Sequence, residues 1–126
     1  PKTLVWDMAR WRNDSAARAG QSGPIPPNSI DKPPSAELRP DQLDSDSLPD
    51  YVQLDRVLDD YVGSDLGAAE LVERGYDPEL VARIVQLTDA AEWKRRQYPP
   101  GTKITFRAFG RDRRLPITSR WREPLA

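Results

Sequence analysis

The stretch Lys32-Pro33-Pro34-Ser35-Ala36-Glu37-Leu38-Arg39-Pro40 sets a cation, a hydroxyl and a carboxylate in close order on a backbone with three prolines. Proline holds φ at about −65° and lacks a donor, so this segment is neither an interior helix nor a central strand. Composition alone reads it as a proline-rich linker. The packing of Lys, Ser, Glu and Arg into so few positions instead suggests a loop that faces ions. Asp41, Asp44, Asp46 and Asp50 crowd its C-terminal side.

A second candidate is Lys94. Leu80, Ile84, Leu87 and Ala91 mark an apolar register on a helix expected over 78–96, with Val81 and Val85 alongside, and the next step of that register is Lys94. Burying an ammonium is costly unless it is paired. Either Lys94 meets an anion there, or the helix frays and the side chain snorkels or faces the helix dipole. Arg95 falls out of this register.

The chain has no histidine and no cysteine. This excludes serine–histidine triads, thiol nucleophiles, disulfides and Cys- or His-ligated metals. The net charge of −1 gives no global field to attract nucleic acid. The charge is uneven, however: 41–65 is mostly acidic, whereas 94–122 carries Lys94, Arg95, Arg96, Lys103, Arg107, Arg111, Arg113, Arg114, Arg120 and Arg122. No apolar run approaches the roughly 20 residues that span a bilayer, and a cytoplasmic location with no membrane partner is expected.

The elements that must position these residues are helical. Residues 3–12 read as a helix with Leu4, Val5, Met8 and Trp11 on one face and Lys2 at its start. Trp6 and Trp11 suit packing against other parts of the protein. Residues 13–31, rich in Gly, Pro, Ser and Asn, read as a variable, mobile loop. Asp50 or Ser47 caps a helix over 50–62, where Asp55, Asp59 and Asp60 mark a solvated face more readily than a metal cluster. A third helix spans 66–74 and ends at Gly75 and Tyr76 in a Schellman arrangement. Asp77 caps the fourth, with Pro78 at its first position. Lys103 to Arg107 alternates weakly, as a short strand does, and 97–126 forms a basic tail. The expected fold class is mainly α with long loops. With 37% hydrophobic residues, the core of so short a chain is small.

Several long stretches resemble one family. Lys-Pro-Pro-Ser-Ala-Glu-Leu-Arg-Pro at 32–40 is followed by Asp-Ser-Leu-Pro at 46–49. Glu92-Trp93-Lys94-Arg95-Arg96-Gln97-Tyr98-Pro99-Pro100-Gly101 and Phe109-Gly110-Arg111-Asp112-Arg113-Arg114-Leu115-Pro116-Ile117-Thr118-Ser119-Arg120-Trp121 continue the match, which begins at Pro1-Lys2-Thr3-Leu4-Val5. Together they resemble the C-terminal part of NAD+ synthetases, closest to the glutamine-dependent type, with residues 13–30 unmatched.

The resemblance implies that residues 1–126 form the C-terminal portion of an α/β adenine-nucleotide-binding domain, with 32–49 as a loop closing over the active site. Such enzymes adenylate nicotinic acid adenine dinucleotide with ATP and Mg2+, then release AMP as ammonia attacks. The glutamine-dependent type makes that ammonia in a glutaminase domain. Position by position, Lys2 and Ser35 correspond to ATP contacts, and Lys94 to a contact for the deamidated dinucleotide. Trp93 stands where the ammonia-dependent type has histidine, which favours stacking or packing there. The family's Ser-Gly-Gly-x-Asp-Ser phosphate loop is absent from this sequence. The chain is therefore expected to be cut from a larger protein, to be inactive alone and to work as a homo-oligomer. Two readings from other classes remain: a helix-turn-helix nucleic-acid module over 66–96, and an inert interaction domain.

Overall fold

The computed structural model describes residues 1–119 and 121–124, and Arg120 of the basic tail lies outside them. The chain divides into two compact units, 1–55 and 56–126. All regular elements of the described residues are helical, and 103–107 forms no strand, with Ile104 and Phe106 largely exposed. A lone extended segment without a partner to complete its hydrogen bonds does not persist as a strand.

In the first unit, α1 spans Lys2–Arg18 and α2 spans Pro27–Asp31. Helix α1 continues well past residue 12, into the segment expected as a loop. Ala16 and Ala17 favour helix strongly enough to carry Asn13, Asp14 and Ser15 with them. The chain then folds back on α1. Asn13 Nδ2 donates to the Ile25 carbonyl at 2.8 Å, and the Ile25 N–H donates to Asn13 Oδ1 at 3.0 Å. Gly23 permits that close approach, because a Cβ there would lie 2.9 Å from Asn13 Cγ. Ala16 and Ile30 are buried, and α1 packs on α2. The apolar face of α1 is otherwise open: Val5, Met8 and Trp11 are more than half exposed.

Helix α3, Tyr51–Leu58, starts where Asp50 Oδ1 accepts the Val52 N–H at 2.9 Å. It runs into a wider π turn at Asp59–Gly63. Tyr61 and Val62 on this turn are both buried. Helix α4, Ala68–Glu73, begins with Glu70 Oε2 accepting the Gly67 N–H at 2.7 Å. It ends as a Schellman turn, with Gly75 N–H bonded to the Val72 carbonyl and Tyr76 N–H to the Leu71 carbonyl. Gly75 has φ +98°, a conformation that glycine adopts without a Cβ penalty.

Helix α5, Pro78–Ala90, is capped by Asp77, whose Oδ2 accepts the Leu80 N–H at 2.8 Å. Its buried face runs through Val81, Ile84, Val85 and Thr88 and packs on α4, while Leu87 is exposed. The chain breaks at Ala91 (φ −90°, ψ 13°) before the short α6, Glu92–Arg95. Carried forward by helical spacing, the buried face reaches Glu92 and Arg95. Lys94 is exposed and Arg95 is buried, the reverse of the expected register. The Leu80–Leu87 stripe lies at the edge of the true contact face, which continues across the break at Ala91.

The acidic cluster also differs from a solvated face. Asp55 is buried, Asp60 is partly buried, and Asp59 is exposed. Asp60 accepts the Tyr76 hydroxyl at 2.7 Å and pairs with Arg74.

Candidate functional site

In the first unit a series of side-chain contacts and one backbone bond runs from Lys2 to the residue before Ser35. Lys2 opens α1, and its ammonium lies 5.9 Å from the centre of the Trp6 ring, one turn on. Trp6 meets Tyr51 edge to face at 5.8 Å. The Tyr51 hydroxyl donates to Asp44 Oδ2 at 2.6 Å. Burial, with help from that bond and the nearby carboxylates, pushes the Tyr51 phenol up to about 12, so it remains a donor. The Asp44 N–H donates to the carbonyl of Pro34 at 2.9 Å, and Ser35 follows directly. Lys2 and the Pro34-Ser35 backbone are thus linked through Trp6, Tyr51 and Asp44. Asp44 belongs to the acidic run of the ion-facing loop, whereas nothing in the sequence marks Trp6 and Tyr51 as site residues.

The N-terminus of α1 is fixed by a residue remote in sequence. Asp55 Oδ2 accepts both the N–H and the hydroxyl of Thr3, each at 2.7 Å. A buried carboxylate satisfies an otherwise orphaned helical donor and favours the positive end of the helix dipole. Lys2 at the same end is unfavourable with that dipole, a cost that a bound anion would remove.

The proline-rich loop is organised by its own polar groups. Lys32 Nζ bonds Glu37 Oε1 at 2.9 Å, and Ser35 Oγ accepts the Glu37 N–H at 3.0 Å. Lys32 lowers the Glu37 carboxyl through their hydrogen bond and opposite charge, and Glu37 raises the Lys32 ammonium in return. Glu37 and Asp41 adopt left-handed backbone conformations, φ 53° and 56°, which non-glycine residues seldom take. The cation, hydroxyl and carboxylate singled out from the sequence do converge. The Ser35 oxygen acts as acceptor there, and its O–H remains able to donate.

The second unit holds Trp93 and Lys94. Both are exposed on α6, with the ammonium 5.6 Å from the centre of the ring. Trp93 also lines a cavity of about 70 Å³ with Leu115, Pro116, Ile117 and Trp121.

Beneath them lies a buried polar network that sequence reasoning missed. Asp89 is fully buried and accepts from the Tyr61 hydroxyl at 3.0 Å, from Arg113 at 3.3 Å and from the Glu123 N–H at 3.1 Å. The Arg113 guanidinium lies over the Tyr61 ring, 4.0 Å from its centre, and bonds the Tyr61 hydroxyl. Burial raises the Tyr61 phenol, with Arg113 opposing and Asp89 reinforcing that shift. Glu92 bridges Arg95 at 2.8 Å and Arg96 at 2.9 Å. Burial alone would raise the Glu92 carboxyl, but the bonds from Arg96, Arg95 and the Leu115 backbone outweigh it and hold the group below its ordinary value. Part of the basic tail therefore finds acidic partners inside its own unit: Arg113 on Asp89, Arg107 on Asp65 at 2.8 Å and Lys103 on Asp112 at 2.7 Å. The only sequence signal was the surplus of arginine opposite unplaced acids.

Comparison with known proteins gives a consistent picture. A family model described as NAD synthase matches residues 1–98. The glutamine-dependent NAD(+) synthetase of Acinetobacter baylyi is 44% identical over 96% of this chain. That of Rhodobacter capsulatus is 46% identical over 97% of it. The chain spans 22% and 23% of those two relatives' lengths. The solved structure of the glutamine-dependent NAD+ synthetase from Acinetobacter baumannii, in complex with ADP, superposes with a TM-score of 0.53 at 37% identity. That alignment covers 93% of this chain and 19% of the other.

Proposed function

The chain belongs to the NAD synthase family, and from that membership we propose that it works within a glutamine-dependent synthetase that amidates nicotinic acid adenine dinucleotide to NAD+. The observation that carries this reading is the 44% identity to such an enzyme along 96% of the chain. In the reaction that the resemblance implies, a nicotinate carboxylate oxygen attacks the α-phosphorus of ATP and pyrophosphate leaves. Ammonia then adds to the acyl adenylate, and AMP leaves as the amide forms.

In this reading Lys2 and Ser35 serve ATP. Lys2 supplies a point charge to the phosphates beside the N-terminus of α1. The Ser35 hydroxyl donates its free proton to the nucleotide. The contact chain through Trp6, Tyr51 and Asp44 supports a common role, because it ties the 32–49 loop to the helix that carries Lys2. Closing that loop would shield the acyl adenylate from water. Lys94 and Trp93 serve the deamidated dinucleotide. An exposed ammonium beside an aromatic face offers both a charge and a stacking surface to such a ligand. Mg2+ accompanies ATP in this chemistry; among the described residues no group of three acidic side chains gathers to hold it without the phosphates. The remainder of the enzyme, including a glutaminase domain, covers the open apolar face of α1 and supplies the phosphate loop, in an assembly of several subunits.

The test uses the full-length enzyme. Lys94→Ala should weaken the dinucleotide about 10- to 150-fold, the worth of a charge-assisted hydrogen bond, with ATP little affected. Lys2→Ala and Ser35→Ala should do the opposite. Unchanged affinities for both ligands in all three variants would refute the site assignment. The 126-residue chain alone should form no NAD+ from ATP, Mg2+, ammonia and dinucleotide.

A further inference from the structure

The second unit contains an open cavity of about 220 Å³ lined by Arg95, Arg96, Tyr98, Gly110, Arg111 and Arg114, with the Pro99-Pro100-Gly101 segment completing the lining. Four guanidinium groups at one small cavity repel one another unless something anionic offsets them. Glu92 offsets only part, since Arg95 and Arg96 share its single carboxylate. Arg111 and Arg114 form no ion pair among the described residues. Asp112, next to Arg111, feels its charge but is already bonded to Lys103 and to the Ala108 N–H, both at 2.7 Å.

The cavity is also built rather than incidental. The Arg95 side chain is only 5% exposed. Its terminal nitrogens are held by the Thr88 carbonyl and by Glu92, and its plane lies against Phe109, 5.1 Å from the ring centre. Its Nε is buried with no acceptor. Arg96 is fixed from the other side by Glu92 and by the Leu115 carbonyl at 2.9 Å. Two guanidiniums are thus held in place while two more form no ion pair among the described residues, and a stiff proline pair is part of the same lining.

We infer that this cavity binds a small phosphate-class oxyanion, inorganic phosphate or a diphosphate group. Arginine forks match phosphate geometry through paired N–H donors, and their bonds are charge-assisted. The volume of about 220 Å³ suits an ion of that size rather than a peptide strand. Lys94 does not line the cavity, so the site is separate from the dinucleotide contact proposed for that residue.

The experiment reads binding rather than turnover, so it stands whether or not the synthetase reading survives. Full-length enzyme with ATP at saturation is titrated calorimetrically with inorganic phosphate, and separately with pyrophosphate, at constant ionic strength. At least one should bind, with Arg111→Ala/Arg114→Ala weakening it about 10-fold or more. The melting temperature of that variant without anion should match wild type. Lys94→Ala and Arg18→Ala, which alter other exposed cations, should bind the anion normally. Tighter binding of pyrophosphate than of phosphate would identify a diphosphate-sized ligand. Arg114→Gln serves as a milder variant and should show the same loss in smaller measure. Three results would overturn the inference: no binding with ATP saturated, unchanged affinity in the double variant, or loss of the anion in Lys94→Ala with retention in the double variant.

Discussion

Residues 1–55 bury Ala16, Ile30 and Asp55, whereas 56–126 bury Val57, Tyr61, Val62, Ala68, Leu71, Val81, Ile84 and Val85, together with Thr88, Asp89, Glu92 and Arg95. The first unit is one long helix with an open apolar face and a loop tied by polar bonds. The second is a small core overlaid by an ionic network. Helix α1 is therefore held by Asp55 and α2, while α4 and α5 hold each other. The residues proposed for ATP stand on the less buried unit, and those proposed for the dinucleotide stand above the better packed one.

The largest expected effect lies in the second unit. Asp89→Ala leaves the Arg113 charge largely buried without its partner, and it should cost about 3–5 kcal/mol. Denaturant unfolding checks this, and a loss below about 1 kcal/mol would mean that the network contributes little. Ile84→Ala should cost about 2–5 kcal/mol through a cavity between α4 and α5. The matched change in the first unit, Val5→Ala, should stay within about 0.5 kcal/mol in this chain, because Val5 is already exposed. Equal losses at Ile84 and Val5 would break the contrast between the units.

Asp55→Ala comes next, at about 0.5–2 kcal/mol, the worth of a helix cap. Amide exchange should show the loss in the first turn of α1, with α5 unaffected.

Acid should separate the units further. Glu92 has a folded-state carboxyl held below its ordinary 4.5. Its contribution is therefore complete above that value and is lost as pH falls through the lowered one. Melting scans from pH 6 downward should show the second unit weakening below about pH 4.5, and Glu92→Gln should flatten that dependence. The smallest effect belongs to Glu37→Gln. The Lys32–Glu37 pair is exposed, so at physiological salt the melting temperature should not move.

Much that is local was legible in the sequence. Asp77-Pro78 begins α5, Gly75-Tyr76 ends α4, Asp50 caps α3, and the Lys32–Glu37 segment is a loop that gathers its own charges. Each rests on backbone preferences and neighbours within a few residues. The family was legible for the same reason, because long runs of ordered residue types need no coordinates. Only the tertiary structure decided which of Lys94 and Arg95 is buried. That depends on the face α5 turns to α4, and the apolar pattern served two adjacent faces nearly equally. It also decided the Thr3–Asp55 bond, the contact chain from Lys2 to Pro34, and the meeting of Tyr61, Asp89 and Arg113. Charges pair across such separations once packing has brought their elements together, and a one-dimensional pattern records the charges but not the approach.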